Sequence, residues 1–256
     1  MSGTGRAPAR RYASTMPETS APAPLLVLVA MPEEAAPLTS RLEDPAPVEV
    51  PFPAPVAAVR GRLGGSEAVV VTTGIGVAAA TAAATLGVLA LSPALVVAAG
   101  SCGGLAADVE VGTVIVGETF AWSIADATAF GYAPGQLPGG PERIVAETSW
   151  ADRAERAARA DQTAAVRRGL MLAGDAFVTA PLADPMRERF PGALSADMET
   201  TATARTAEAL GVPFVALRAV SDLCGPAAGQ QFHLEIDVVA ETSARAVERL
   251  AADLAG

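Results

Sequence analysis

Residues 25–34 read LLVLVAMPEE, a run of six apolar residues followed by methionine, proline and two glutamates. An uninterrupted apolar run of this length is typical of a strand that is buried on both faces of a parallel sheet. Similar runs predict further strands at residues 68–73, 94–99, 111–117, 169–173 and 213–220. Helical stretches between them are predicted at residues 77–91, 152–168, 200–210 and 236–254. Strands that alternate with helices predict an α/β sandwich with a mainly parallel sheet.

The composition excludes several classes of protein. The chain has 256 residues, of which 51% are hydrophobic and 18% are charged, as in a globular protein with a large core. All 18 basic residues are arginines, which excludes chemistry that needs a lysine, such as Schiff-base formation or a Walker phosphate loop. A net charge of -10 opposes binding to nucleic acid and to anionic membranes. Two cysteines and one histidine are too few for an ordinary four-ligand zinc site.

The first 24 residues differ in composition from the rest. They are rich in Pro, Ala, Ser and Thr and lack the apolar centre of a secretory signal. We therefore expect a disordered extension at residues 1–24 and one domain over residues 25–256. Because no apolar stretch approaches the roughly 20 residues of a spanning helix, and the two cysteines show no disulfide pattern, the expected compartment is the cytoplasm.

Three acidic residues follow predicted strands or begin the helix after one: Glu34, Glu199 and Asp222. In an open α/β sheet, ligands bind beyond the carboxyl ends of the strands. Each acid taken alone has a plainer interpretation, as a charge or cap at a helix start. Three acids at one sheet edge instead predict a shared cleft, in which their pKa values separate as acid–base chemistry requires.

Other features are less specific. The glycine-rich segment 74–79 resembles a dinucleotide fingerprint, but residues 95–100 lack the acid that would hold a ribose, so a tight strand-to-helix turn is favoured. Segment 100–104 is either an ordinary turn or a place where main-chain amides approach a ligand. Phe177 is either a core residue or a platform for a planar ligand. Cys102 is interpreted as a packing residue, and His233 as a residue that orders a surface loop.

From residue 25 to residue 254 the chain resembles the 5′-methylthioadenosine/S-adenosylhomocysteine nucleosidases, within the nucleoside phosphorylase/hydrolase superfamily. The matching segments, in order, are VAMPEE (29–34), GSCGGL (100–105), DATAFGY (126–132) with GQLPG (135–139), GDAFV (174–178), DME (197–199) and RAVSD (218–222). The resemblance implies one α/β domain, a three-layer sandwich around a twisted mixed sheet, that works as a homodimer. It also implies hydrolysis of an adenine N-ribosyl bond, with a nucleoside as the small-molecule partner and no metal or organic cofactor.

The resemblance assigns roles to particular residues. Asp222 would protonate N7 of the adenine leaving group, and Glu34 would hold and deprotonate the attacking water. Glu199 would bind the 2′- and 3′-hydroxyls of the ribose. Because one acid must be protonated while another is ionised, Asp222 and Glu34 need different environments.

Further positions complete the implied substrate site. Met198 would lie under the ribose, Ser101 would line the sugar region, Phe177 would stack on the base and the main chain of Val178 would read its edge. Met31, Gly103, Asp197 and Ser221 are the remaining implied substrate-binding residues. Three more residues, Ala127, Phe130 and Pro138, match positions that reach into the pocket of the neighbouring subunit and cover the 5′ substituent.

Two alternatives stay open at this point. A phosphorylase of the same superfamily would hold phosphate with arginines, one of them on the strand before segment 100–104, where this chain has Ala98 and Ala99. Glu33 and Glu34 would repel phosphate but can activate water, which favours a hydrolase. A non-catalytic nucleoside-binding protein is the other alternative, since fold alone does not fix function. Departures such as Asp197, where bacterial members usually carry Glu, leave open whether the 5′ group is methylthio, homocysteinyl, deoxy or a more specialised substituent.

Overall fold

The structure is a computed structural model that describes residues 23–48 and 57–256. The predicted extension at residues 1–24 therefore lies almost wholly outside the described residues. Within the described ranges, none of the helices is long and apolar enough to cross a membrane.

The described residues form one mixed sheet with helices on both faces. Its strands are β1 (Leu25–Val29), β2 (Glu43–Pro47), β3 (Ala57–Leu63), β4 (Ser66–Thr72), β5 (Leu95–Gly104), β6 (Val114–Trp122), β7 (Ile144–Val145), β8 (Val166–Ala173), β9 (Ala193–Asp197) and β10 (Phe214–Asp222). The helices are α1 (Pro32–Thr39), α2 (Val77–Leu91), α3 (Thr148–Arg159), α4 (Ala180–Arg189), α5 (Thr200–Leu210) and α6 (Ala228–Ala255). The strand order is β10-β6-β8-β9-β5-β1-β4-β3-β2, and β7 pairs with β6.

Strand β1 shows why the apolar runs form the centre of this fold. All five of its residues are buried, and alternate side chains enter opposite layers. Leu25, Val27 and Val29 pack in a core with α1, α3 and α6, whereas Leu26 and Leu28 pack in a second core with α2 and α5. Helices thus cover both faces of the sheet, which confirms the predicted three-layer α/β sandwich in a single domain.

The sheet curls so that several strand ends meet at one edge. Strand β5 pairs in parallel with β1 and with β10, and its last two residues pair in antiparallel orientation with β9. Since β10 also pairs with β6, the strands β10, β6, β8, β9 and β5 close into a ring. The carboxyl ends of β1, β5, β8, β9 and β10 all contribute residues to one cavity.

The sequence placed the end of one helix wrongly. The predicted helix at residues 152–168 ends at Arg159, because Asp161 accepts hydrogen bonds from the amide and hydroxyl of Thr163 and forms a local turn. Val166 then begins β8, which pairs with β6. Of the two interpretations of segment 100–104, an ordinary turn is excluded, because the segment is the end of β5, bent at Gly100, whose φ is +111°.

Candidate active site

A cavity of about 370 Å³ opens at the edge of the sheet where these strands end. Its size is within the range of small-molecule sites. The structure brings together there eleven residues that the sequence predicted for catalysis or substrate binding: Met31, Glu34, Ser101, Gly103, Phe177, Val178, Asp197, Met198, Glu199, Ser221 and Asp222.

Glu34 lies in the first turn of α1, with its carboxylate buried against the end of β1 and the bend of β5. Its Oε2 accepts hydrogen bonds from the amides of Ala30 (2.8 Å) and Met31 (3.2 Å). Its Oε1 accepts from both the amide and the hydroxyl of Ser101, each at 2.8 Å. A carboxylate is an acceptor that can satisfy all four donors, so the side chain is held in one orientation at the cavity wall.

Gly100 makes room for this carboxylate. A Cβ atom at position 100 would lie 2.4 Å from Glu34 Oε1 and 2.5 Å from its Cδ, and the φ of +111° already favours glycine. The bend of β5 and the position of Glu34 therefore depend on each other.

We expect Gly100→Ala to lower the free energy of unfolding by roughly 2–4 kcal/mol, since it adds a steric clash to backbone strain. Chemical denaturation measures this. Gly112→Ala is the matched control, because Gly112 also has a positive φ (+87°) but nothing lies within 4 Å of its Cβ position. The control should lose about 1–2 kcal/mol from backbone strain alone. Equal losses of unfolding free energy in the two variants would show that the position of the Glu34 carboxylate does not require glycine at position 100.

Asp222 ends β10 on another wall of the same cavity. Its Oδ1 accepts from the amide of Cys224 (3.0 Å), and its Oδ2 accepts from the hydroxyl of Ser221 (3.0 Å). The residue is only 2% exposed. Burial raises the pKa of Asp222, while the two hydrogen bonds oppose the rise. The environment of Asp222 therefore favours its protonated form more than water does.

Glu199 and Arg218 form a buried ion pair beneath the cavity. Arg218 Nη2 lies 3.2 Å from Glu199 Oε2, and Nη1 donates to the carbonyl of Ser101 at 2.8 Å. The other carboxylate oxygen of Glu199 accepts from the amide of Gly76 at 2.9 Å. Burial raises the pKa of Glu199 to about 7, although the charge of Arg218 opposes the rise. Burial lowers the pKa of Arg218, but the charges of Asp197 and Glu199 outweigh it and raise that pKa above its ordinary value.

Asp197 stabilises the start of α5, a role that was not predicted from the sequence. Its Oδ1 accepts from the amides of Glu199 (2.8 Å) and Thr200 (2.7 Å), and so caps the start of α5. It also lies 3.8 Å from Arg218 Nη2. The side chain thus fixes the segment that carries Met198 and Glu199.

An apolar wall faces the buried acids. Phe177 and Phe232 meet edge to face, with their ring centroids 5.9 Å apart, and Ile75 lines the same cavity. Phe177 is 44% exposed. Of the two interpretations of Phe177, the structure favours a platform at the pocket over a core residue. His233, which was predicted to order a loop, instead lies within α6, because that helix begins at Ala228.

Several residues that line the cavity were not predicted from the sequence. Arg218 had a signal, since it interrupts the apolar strand FVALRAVSD at residues 214–222, and a buried arginine needs charged partners. The remaining missed residues are Ala30, Ile75, Cys102, Ala176, Ala196, Cys224 and Phe232. Burial raises the pKa of the Cys102 thiol well above its ordinary value, in agreement with a packing role rather than a nucleophile.

The residues assigned to a neighbouring subunit's pocket do not reach the cavity of their own chain. Ala127 is buried, Pro138 is exposed and Phe130 is 83% exposed. Together with the exposed Ile124 and Leu137, Phe130 gives this region an apolar surface. Their predicted place in a partner's pocket stays a prediction.

Segment 74–79 is the tight strand-to-helix turn that the sequence favoured. Gly74 and Gly76 have φ values of +85° and +102°, and Val77 begins α2. The amides of the turn bind carboxylates of the protein itself, those of Glu199 and Asp175. The segment therefore shapes the cavity.

The arrangement suits cleavage of a bond between a sugar and a base. A buried acid with a raised pKa and a fixed carboxylate lie on different walls of one cavity, as Asp222 and Glu34 do. Such a pair can supply a proton to a leaving group and accept one from water. A planar base would fit the Phe177 wall.

Comparisons with known proteins give one consistent result. The sequence model of the phosphorylase superfamily matches residues 24–255. A 5′-methylthioadenosine/S-adenosylhomocysteine nucleosidase from Neisseria meningitidis, solved with methylthio-immucillin-A, is 33% identical with a TM-score of 0.86, over 90% of this chain and 99% of that one. An S-adenosylhomocysteine nucleosidase from Streptococcus pyogenes, solved with 5-methylthiotubericidin, is 26% identical with a TM-score of 0.85, over 91% and 98%. A nucleosidase of the same kind from Colwellia psychrerythraea, solved with adenine, is 29% identical with a TM-score of 0.85, over 90% and 95%.

Proposed function

Because the chain belongs to the phosphorylase superfamily and, within it, to the 5′-methylthioadenosine/S-adenosylhomocysteine nucleosidases, we propose that it hydrolyses the N-ribosyl bond of 5′-thio-substituted adenosines. The products are adenine and the 5-thio-substituted ribose. The observation that carries the proposal is the meeting of Glu34, Glu199 and Asp222 around one cavity, with Asp222 and Glu34 in different environments.

Asp222 is the general acid of the proposed reaction. Cleavage of the N-ribosyl bond leaves electron density on the purine, and a proton delivered to N7 stabilises the leaving group. A raised pKa keeps the carboxyl protonated to higher pH than an ordinary aspartate. The backbone amide of Cys224 and the hydroxyl of Ser221 fix its orientation. Phe177 stacks on the base, and the main chain of Val178 contacts the edge of the base.

Glu34 is the group that orients and deprotonates the attacking water. The four donors to its oxygens hold the carboxylate in one orientation at the cavity wall, where it faces the bound substrate. As the sugar gains positive character in the transition state, nearby carboxylates stabilise it electrostatically. Glu199 accepts hydrogen bonds from the 2′- and 3′-hydroxyls, with Met198 under the ribose.

The charges around the cavity favour water over phosphate as the nucleophile. Among its described lining residues, Arg218 alone is cationic, and it is already paired with Glu199 and bound to the carbonyl of Ser101. Four carboxyl groups, those of Glu34, Asp197, Glu199 and Asp222, line the same space. A phosphate dianion would meet repulsion from those of these groups that are ionised, Glu34 among them.

A second copy of the chain would complete the proposed site. The exposed Phe130 and Pro138, with Ala127, are proposed to cover the 5′ substituent in a partner's cavity, which makes the working unit a homodimer. This fits the exposure of Phe177 at the mouth of the cavity and the apolar surface around Phe130. Methylthioadenosine, S-adenosylhomocysteine and 5′-deoxyadenosine are the candidate substrates.

The test is release of adenine from these nucleosides in buffer without phosphate, followed by chromatography of the free base. We expect adenine from methylthioadenosine, at a rate that added phosphate does not increase. A strict requirement for phosphate would identify a phosphorylase instead. Tight binding of the nucleoside with no release of base would identify a binding protein.

A further inference from the structure

One side chain, Asp175, joins the loop after β8 to the turn before α2. Its Oδ1 accepts a hydrogen bond of 2.7 Å from the amide of Val77, which is 98 residues away in the chain. A Cβ atom at Gly76 would lie 2.9 Å from the same oxygen, so the carboxylate lies directly against the turn. The loop after β8 and the turn before α2 are therefore held in close contact through this one carboxylate.

The turn that Asp175 contacts also binds the buried carboxylate of Glu199. The amide of Gly76 donates to Glu199 Oε1 at 2.9 Å, and the amide of the next residue, Val77, donates to Asp175. Amides at the start of a helix lack partners within the helix and favour carboxylates. The two peptide units share the Cα atom of Gly76, so a hydrogen bond that anchors the Val77 amide limits how far the Gly76 amide can shift.

We propose that Asp175 is a positioning residue for ribose recognition, which holds the first turn of α2 so that the Gly76 amide keeps Glu199 in its binding orientation. The inference rests on the proposed function, since it takes Glu199 as the group that binds the ribose hydroxyls. Asp175 is exposed and stands outside the described residues that line the cavity, so it acts through the turn.

Loss of this restraint also has an electrostatic consequence. Glu199 faces the charges of Arg218, Asp197 and Glu34. Burial and the two acids raise its pKa, while Arg218 and the Gly76 amide lower it. A displaced Gly76 amide therefore raises the pKa of Glu199 further. More Glu199 is then protonated near neutral pH, and the low-pH side of the activity profile moves to higher pH.

The experiment compares Asp175→Ala with the unaltered protein on methylthioadenosine and on its 2′-deoxy analogue. We expect kcat/KM for the ribonucleoside to fall about tenfold and that for the deoxy analogue to fall less, because only the first uses the full set of contacts with Glu199. The low-pH limb of the activity profile on methylthioadenosine should move to higher pH. Asp175→Asn should keep both the substrate selectivity and the pH profile of the unaltered protein, since its amide oxygen still accepts a hydrogen bond from the amide of Val77. Asp253→Ala, an aspartate on the last turns of α6, is the matched control and should change neither.

A second variant tests the same contact from the other side. Gly76→Ala places a methyl group against Asp175 and should reduce ribose selectivity in the same way. Thermal melting checks that each variant is folded. Equal losses on both substrates, or an unmoved low-pH limb in a folded Asp175→Ala variant, would overturn the inference. Failure of the proposed function is a different result, namely no adenine release by the unaltered protein.

Discussion

Asp222→Asn is expected to lower kcat for adenine release by about 10²–10⁴-fold, the usual contribution of a positioned general acid. Asparagine has nearly the same shape and keeps an oxygen for the Cys224 amide, but it cannot give a proton to N7. Steady-state kinetics with methylthioadenosine measure the loss. KM should change much less than kcat, because the lost interaction belongs to the transition state.

The pH dependence provides an independent readout of Asp222. Burial raises its pKa, and the acid must be protonated to act, so its contribution is lost as the pH rises through that raised pKa. The high-pH limb of the kcat profile should therefore disappear in Asp222→Asn. Asp253→Asn, which replaces a surface aspartate on α6, should leave rate and profile unchanged. A near-normal kcat in Asp222→Asn would show that Asp222 is not the general acid. The proposed mechanism would then have no identified proton donor.

The residues that line the cavity could be predicted from the sequence because strand ends meet at one edge in α/β sheets. Continuous apolar runs such as residues 25–30 are buried on both faces, and the residues directly after such a run must lie at the edge of the sheet. Glu34, Ser101 and Asp222 meet at the cavity for this reason. The start of α2 at Val77 and its end at Leu91 were also predicted, since the glycine turn and Ala-rich sequence determine them locally.

The features that the sequence could not predict depend on contacts between distant segments. Residues 160–168 have helical composition, yet pairing of β8 with β6 overrides this preference. The bend of β5 at Gly100 accommodates the carboxylate of Glu34, which accepts a hydrogen bond from the amide of Ser101, 67 residues away in the chain. Phe232 reaches the cavity only because α6 begins at Ala228, well before the predicted start at residue 236. Such contacts have no periodicity in the sequence that could reveal them.

Glu34→Gln is expected to lower kcat for adenine release by about 10²–10⁴-fold, because an amide cannot accept the proton of the attacking water. The substitution should also cost about 1–3 kcal/mol of unfolding free energy, because four donors surround the carboxylate and one amide NH₂ must then face another donor.

Binding of adenine separates the loss of chemistry in Glu34→Gln from the loss of stability. Adenine is expected to contact the side of the cavity formed by Phe177 and Asp222, and not Glu34. A folded variant that binds adenine with near-normal affinity but releases it from methylthioadenosine at the lowered rate would assign the loss to chemistry. Glu33→Gln is the matched control, since Glu33 precedes Glu34 on the exposed side of α1, and it should keep full activity. Retained turnover in Glu34→Gln would mean that water is activated elsewhere in the cavity, and Glu199, whose carboxylate interacts with the charge of Glu34, would be the next residue to substitute.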